Sequence, residues 1–214
     1  MVKLLIVDDH HIVRAAVSKM LADEDWIEIV GEVGSGEEAV QMVREIEPDV
    51  VLMDIKMQGI GGLEATRKIV RMQPDCKVIA LSALVEETYA MRAMEVGASG
   101  YLSKGTDPAE MIQAIRQVSR GLNYISSEVA QKVALKRMMP GNQNPFDVLS
   151  DRELQIALMV VNCHKVNDIS DKLFLSPKTV NTYRYRIFEK LNITSDVELT
   201  HMAIRHQLID TESL

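Results

Sequence analysis

Hydrophobic and polar positions follow two different regimes along this chain. In residues 1–120, short apolar runs alternate with longer amphipathic stretches. The runs Leu4–Val7, Glu28–Gly31, Val50–Met53, Val78–Leu81 and Gly100–Leu102 read as buried parallel strands, because both faces of such a strand are covered. Residues 13–22, 37–46, 63–72, 87–96 and 108–119 carry the helical period. Ser35-Gly-Glu-Glu places a cap before the second of these helices, and Asp107-Pro108 places a cap and a first-turn proline at the fifth. Five strands alternating with five helices predict a doubly wound α/β domain with a five-stranded parallel sheet. In such sheets ligands bind beyond the carboxyl ends of the strands.

Residues 121–146 lack a clear core pattern. A helix can form over 127–139, and then Pro140, Gly141, Asn142, Asn144 and Pro145 give the composition of a linker. Residues 147–214 show only the helical period, in four helices: Asp151–Asn162, Val166–Phe174, Pro177–Leu191 and Asp196–His206. The expected organisation is therefore an α/β domain over 1–120, a helical or linker segment over 121–146, and an all-α domain over 147–214.

Charge refines this division. The net charge of −7 argues against a general nucleic-acid binder, but the acid excess is N-terminal. Residues 1–120 hold 13 Lys/Arg against 20 Asp/Glu, whereas residues 149–214 hold 8 against 9. Within the latter, Pro177–Leu191 carries Lys178, Arg184, Arg186 and Lys190 against Glu189 alone, a basic face suited to DNA. Cys76 and Cys163 lie far apart without metal-ligand spacing, and both are expected to be buried free thiols in a reducing cytosol. The apolar run Leu4–Val7 stops at two aspartates, unlike a signal peptide, and no run approaches the roughly 20 apolar residues of a membrane span. A cytoplasmic protein without membrane insertion is expected.

Polar residues gather at the strand ends. Asp8 and Asp9 follow the first run, Asp54 the third and Ser82 the fourth, while Lys104 lies just past the fifth. Taken singly, each has an ordinary reading: a strand-end aspartate forms turns or caps helices, and a lone lysine is solvated. Together they fall on one sheet edge. Converging carboxylates repel, so one would take up a proton unless a cation neutralises them. An all-oxygen set suits Mg²⁺. A cation plus a lysine would stabilise a phosphoryl group arriving on one carboxylate, with aspartate as nucleophile and the Ser82 hydroxyl as donor. Phosphatases of the haloacid dehalogenase type need Asp-x-Asp after the first strand, whereas these aspartates are adjacent. His10 and His11 are set aside as metal ligands because adjacent residues share no helix face. Gly59, Gly61 and Gly62 lack the GK[ST] of a P-loop.

The order Asp8-Asp9, Met53-Asp54, Ser82, Tyr101 and Lys104 resembles the receiver domain of two-component response regulators over residues 1–120. The resemblance implies a flavodoxin-like fold. It implies that Asp54 is the phosphoacceptor and that Mg²⁺ is held by Asp9, Asp54 and the backbone carbonyl of Lys56, with Asp8 acting mostly through water. It makes Lys104 the partner of the phosphoryl group. It makes Ser82 and Tyr101 a switch in which Tyr101 moves inward on phosphorylation. Gln58 and Gly105 depart from the common pattern, since proline often stands at each position, and the second departure bears on a cis peptide after Lys104.

In the C-terminal part, Val166–Phe174, the break Leu175-Ser-Pro177 and the helix to Leu191 fit a helix-turn-helix. Ser176 caps the second helix, and Val180, Ile187 and Leu191 turn toward the core. Lys178, Thr179, Asn181, Thr182, Arg184, Tyr185 and Arg186 are the candidate DNA contacts, on faces open to a major groove. In the last helix Met202 and Ala203 are assigned to the core, leaving Val197, Leu199 and Ile204 for a two-fold contact. Leu149-Ser-Asp-Arg-Glu153, Ile169-Ser-Asp-Lys-Leu173 and Leu175-Ser-Pro-Lys-Thr-Val180 resemble the LuxR-type helix-turn-helix of the NarL/FixJ class. The block Ser176–Arg186 with Asp196-Val-Glu-Leu199 resembles the GacA/UvrY group. That resemblance implies a sensor histidine kinase as partner, promoter DNA as ligand, genes for small regulatory RNAs as targets and a homodimer when phosphorylated or on DNA. It also leaves room for contact with RNA polymerase. Cys163, Asn181 and Tyr183 stand where Gly, Lys and His are common. On this reading the chain is not an enzyme beyond its own phosphorylation and dephosphorylation. The competing reading is a receiver that only binds protein, and the complete Asp8/Asp9/Asp54/Lys104 set argues against it.

Overall fold

The computed structural model describes residues 1–82, 87–138, 144–206 and 208. The chain folds as two compact units, Met1–Met138 and Met139–Leu214.

In the first unit, strands β1 (Val2–Val7), β2 (Ile27–Val33), β3 (Val50–Asp54), β4 (Lys77–Ser82), β5 (Gly100–Ser103) and β6 (Tyr124–Ile125) form one sheet in the order β2-β1-β3-β4-β5-β6. Every pairing is parallel. Helices α1 (His11–Leu21), α2 (Gly36–Ile46), α3 (Gly61–Met72), α4 (Glu87–Glu95) and α5 (Pro108–Val118) are the crossovers, and α6 (Ser127–Met138) follows β6. Successive side chains of a strand face opposite sides. Leu4 and Ile6 of β1 accordingly join the core that contains Leu21, Met111 and Ile115 of α1 and α5. Leu5 and Val7 join the opposite core, with Val43, Ala65 and Ile69 of α2 and α3. This two-sided burial is why the central strands lack polar alternation.

The expected caps form. Ser35 Oγ accepts from the Glu38 amide, and Asp107 Oδ1 accepts from the Ala109 amide behind Pro108. Strand β6 is absent from the sequence reading, because a two-residue strand shows no period. It docks on the free edge of β5, pairing Gly100 with Tyr124 and Tyr101 with Ile125. Residues 139–143, which carry Pro140, Gly141 and Asn142 of the expected linker, lie outside the described residues.

In the second unit a 3₁₀ turn (Pro145–Val148) precedes α7 (Asp151–Val161), α8 (Val166–Leu173), α9 (Pro177–Leu191) and α10 (Asp196–Arg205). Phe146 is buried, with its ring edge-on to His206, so the end of the expected linker belongs to this core. Helix α7 opens on a capping box between Ser150 and Glu153. The Glu153 carboxylate also takes the Lys190 ammonium of α9 at 2.6 Å. Burial pushes the Glu153 carboxyl up, but Lys190 and Ser150 outweigh it and hold the group below its ordinary value. Cys76 is buried as expected, and burial pushes its thiol up to about 12. Cys163 is exposed, contrary to expectation. It sits past the end of α7 with φ 61°, a left-handed position at the surface, where glycine is favoured.

Candidate functional site

The strand register builds the acidic pocket. Val7 pairs with Met53, so Asp8 emerges beside Asp54, and Asp54 in turn pairs with Leu81, one residue before Ser82. Ser82 pairs with Ser103, which sends Lys104 over the same edge. The Lys104 amide donates to the Ser82 carbonyl at 2.7 Å and pins the base of its side chain.

Lys104 Nζ lies 2.6 Å from Asp8 Oδ2 and 2.8 Å from Asp54 Oδ2, bridging both carboxylates. Asp8 and Asp54 are buried. Asp8 Oδ1 accepts from the His10 amide at 2.8 Å, and Asp54 Oδ1 accepts from the Lys56 amide at 3.1 Å. Asp8 Oδ2, Asp54 Oδ2 and Asp9 Oδ1 are buried atoms without a hydrogen bond of good geometry, although Lys104 and His10 stand within ion-pair range of them. Burial pushes the Asp54 carboxyl up to about 6, against the pull of Lys104. Burial lowers the Lys104 ammonium, but its bonds to Asp54 and Asp8 prevail and raise it, so it stays charged. Under-coordinated carboxylate oxygens with one shared ammonium fit a hard, oxygen-seeking divalent cation.

His10, set aside on sequence, belongs to this group. Its Nδ1 is 2.8 Å from Asp9 Oδ1 and 3.2 Å from Asp8 Oδ1, and ligand atoms of Asp8, Asp9, His10 and Asp54 lie within 4.8 Å of one another. His11 instead begins α1. The roles of two further residues escaped the sequence reading. Arg14 Nη1 donates to the Asp8 carbonyl. A Cβ on Gly62 would stand 1.9 Å from the Asp54 carbonyl oxygen, so the glycine lets α3 start against the acceptor strand. Gly62 thus serves packing, while Gly59 and Gly61 take the left-handed backbone, with φ 71° and 73°.

Ser82 and Tyr101 are fully buried. The Tyr101 side chain lies inside the receiver unit, at 0% exposure. The bond after Lys104 is trans.

In the second unit, α8 and α9 form the helix-turn-helix. The turn is fixed by Phe174 in the left-handed region and by Ser170 Oγ, which donates to the Leu175 carbonyl at 2.5 Å. Ser176 caps α9 through the Thr179 amide at 3.1 Å. Val180, Ile187 and Leu191 are buried as expected. Lys178, Asn181, Thr182, Tyr185 and Arg186 are exposed, and Thr179 is half-buried at the cap. Arg184 is half-buried, and its Nη2 is 2.5 Å from Asp196 Oδ2 of α10. In α10, Leu199 joins Ala203 in the core, so it is withdrawn from the expected two-fold contact. Val197 stays 63% exposed, while Met202 and Ile204 are half-buried.

The parallel fold with an acidic pocket at its carboxyl edge, followed by a helix-turn-helix unit, defines a class of signalling regulator. The family model for the response regulator receiver domain matches residues 4–116, and that for bacterial regulatory proteins of the luxR family matches residues 147–203. The chain belongs to the response regulator family, with a receiver domain and a LuxR-type DNA-binding domain. It is 57% identical over 214 residues to the response regulator GacA of Pseudomonas aeruginosa, covering 100% of both chains. It is 53% identical over 215 residues to the response regulator UvrY of Escherichia coli, covering 100% of this chain and 99% of that one. A LuxR-family two-component response regulator from Aurantimonas superposes with a TM-score of 0.63 at 34% identity, over 65% of this chain and 99% of that one. Salmonella RcsB, solved on promoter rprA with the phosphomimetic BeF₃⁻, shares the fold with a TM-score of 0.67 at 20% identity, over 94% of this chain and 97% of that one. Among the described residues, no helix is long and apolar enough to cross a membrane.

Proposed function

We propose that a sensor histidine kinase transfers a phosphoryl group to Asp54, and that the phosphorylated chain binds promoter DNA and regulates transcription. The observation that carries this reading is the Lys104 ammonium held between Asp8 and Asp54. An Asp54 carboxylate oxygen attacks phosphorus while the bond to the donor imidazole nitrogen breaks. Lys104 turns from the carboxylates to the incoming phosphoryl oxygens, and the Ser82 hydroxyl donates to one of them. Asp8, Asp9, Asp54 and the Lys56 carbonyl are the groups that would hold Mg²⁺, which supplies charge neutralisation when bound. The chain catalyses only its own phosphorylation and dephosphorylation.

In this reading the first unit, Met1–Met138, receives the signal, and the second, Met139–Leu214, acts on DNA. Lys178 and Arg186 contact phosphates, while Asn181, Thr182 and Tyr185 meet base edges from one exposed face of α9. The chain works in the cytoplasm as a homodimer on two half-sites, and genes for small regulatory RNAs are the targets. Acetyl phosphate with Mg²⁺ should add one phosphoryl group by intact mass and tighten DNA binding. Asp54→Asn should take up none, and equal labelling of that variant refutes the assignment.

A further inference from the structure

We infer that Arg184 is a positioning residue of the recognition helix, acting through Asp196, and does not contact DNA phosphate. The inference rests on the DNA-binding reading above. At about 100° per residue, Arg184 falls about 40° from Val180 and about 20° from Leu191 around α9, on the core-facing arc. Thr182 and Tyr185 lie about 160° and 100° from Arg184, away from that arc, Asn181 lies about 60° from Arg184 on its outer side, and all three are exposed. The Arg184 guanidinium reaches α10, where Nη2 meets Asp196 Oδ2 at 2.5 Å. Its other arm, Nη1, comes within 3.5 Å of Asn181 Oδ1, and its Cζ lies 6.0 Å from the centroid of the Phe188 ring. The side chain is 25% exposed, and both Arg184 Nε and Asp196 Oδ1 are buried atoms. Arg184 and Asp196 also line one surface cleft of about 550 Å³ together with Val160, Cys163, Val166 and Val197 of the neighbouring elements.

One side chain thus ties the middle of α9 to the first turn of α10 and reaches a proposed base reader. Asp196 lies at the N-terminal end of α10, where the helix dipole favours a carboxylate. The planar guanidinium serves two acceptors at a fixed angle, which a lysine cannot do. Arg184 therefore sets the pose of α9 and the rotamer of Asn181.

Charge makes this separable from a phosphate contact. Removing an acid near DNA strengthens binding if only electrostatics matter. If Asp196 holds the reader in place, removing its charge weakens specific binding instead. The test uses full-length protein treated with acetyl phosphate and Mg²⁺. Its probes are a duplex selected from a random library by the unsubstituted chain and a scrambled duplex of equal length. Asp196→Asn and Arg184→Lys should each weaken the selected duplex by about tenfold, a few tenfold at most, and change the scrambled duplex less than about twofold. The pair Arg184→Lys with Asp196→Asn should bind about as well as the weaker single variant, since both remove one device. The salt slope should stay that of the unsubstituted chain. Retained affinity for the scrambled duplex reports an intact fold. The inference is overturned if Arg184→Lys binds normally, if Asp196→Asn tightens both duplexes, or if Arg184→Gln weakens both alike and lowers the salt slope by about 0.9. An unsubstituted chain that selects no duplex would end the DNA reading itself.

Discussion

Asp54 is buried in a pocket that disfavours its own charge, and this has a measurable cost. Its carboxyl rises from 3.8 to about 6, mainly because burial removes solvent. A raised carboxyl contributes stability that is present below pH 3.8 and lost as pH rises through about 6. The shift is about two units, so ionisation at neutral pH costs up to about 3 kcal/mol, and relaxation of the pocket reduces this to about 1–2 kcal/mol. Asp54→Asn keeps the shape without the charge. In metal-free buffer at neutral pH it should be more stable than the unsubstituted chain by about 1–2 kcal/mol, and the gap should close as pH falls toward 4. Trp26, the sole tryptophan, lies in the receiver unit, so urea unfolding followed by its fluorescence reads this domain. Mg²⁺ at ten times its dissociation constant should add about 1.4 kcal/mol to the unsubstituted chain and less to Asp54→Asn. The reasoning fails if Asp54→Asn is no more stable at neutral pH, if the difference ignores pH, or if Mg²⁺ stabilises both chains equally.

Three other outcomes follow from the structure. Lys178→Ala should weaken binding to all duplexes alike and lower the salt slope by about 0.9, whereas Asn181→Ala should cost about 1–3 kcal/mol at a single base pair, as measured by titrating a panel of point-substituted sites. Glu153→Gln removes a carboxylate that serves both the Ser150 cap and Lys190, and should destabilise the second unit by about 1–3 kcal/mol at pH 7. Because that carboxyl is held below 4.5, its contribution is present above this value and lost as pH falls, so hydrogen exchange in α7 and α9 should differ between the chains at pH 7 and converge in acid. Gly62→Ala places a Cβ against the Asp54 carbonyl and should cost at least about 2 kcal/mol and slow phosphorylation; Gly105→Ala, whose nearest neighbour is 3.7 Å away, should do neither in parallel urea titrations and labelling assays.

Much of this protein is written locally. The central strands are legible because burial on both faces demands uninterrupted apolar residues. Ser35, Asp107 and Ser176 mark helix starts because a cap acts within three residues of itself. The acidic pocket was legible for a related reason: in a parallel sheet all strands end on one edge, so Asp8, Asp54, Ser82 and Lys104 converge wherever their strands end. What the sequence did not show depends on partners far along the chain. Strand β6 exists because β5 offers it an edge, and Tyr101 is buried because its neighbours enclose it. His10 joins the acidic cluster because the chain turns there with an extended backbone before α1 begins. Leu199 and Arg184 illustrate the limit most clearly. An apolar residue at the start of α10 could face solvent or core, and an arginine on α9 could face DNA or a neighbouring helix. Only the tertiary structure brings Asp196 of α10, twelve residues on, to Arg184 of α9 and gives this candidate DNA contact an ion-pair partner within the domain.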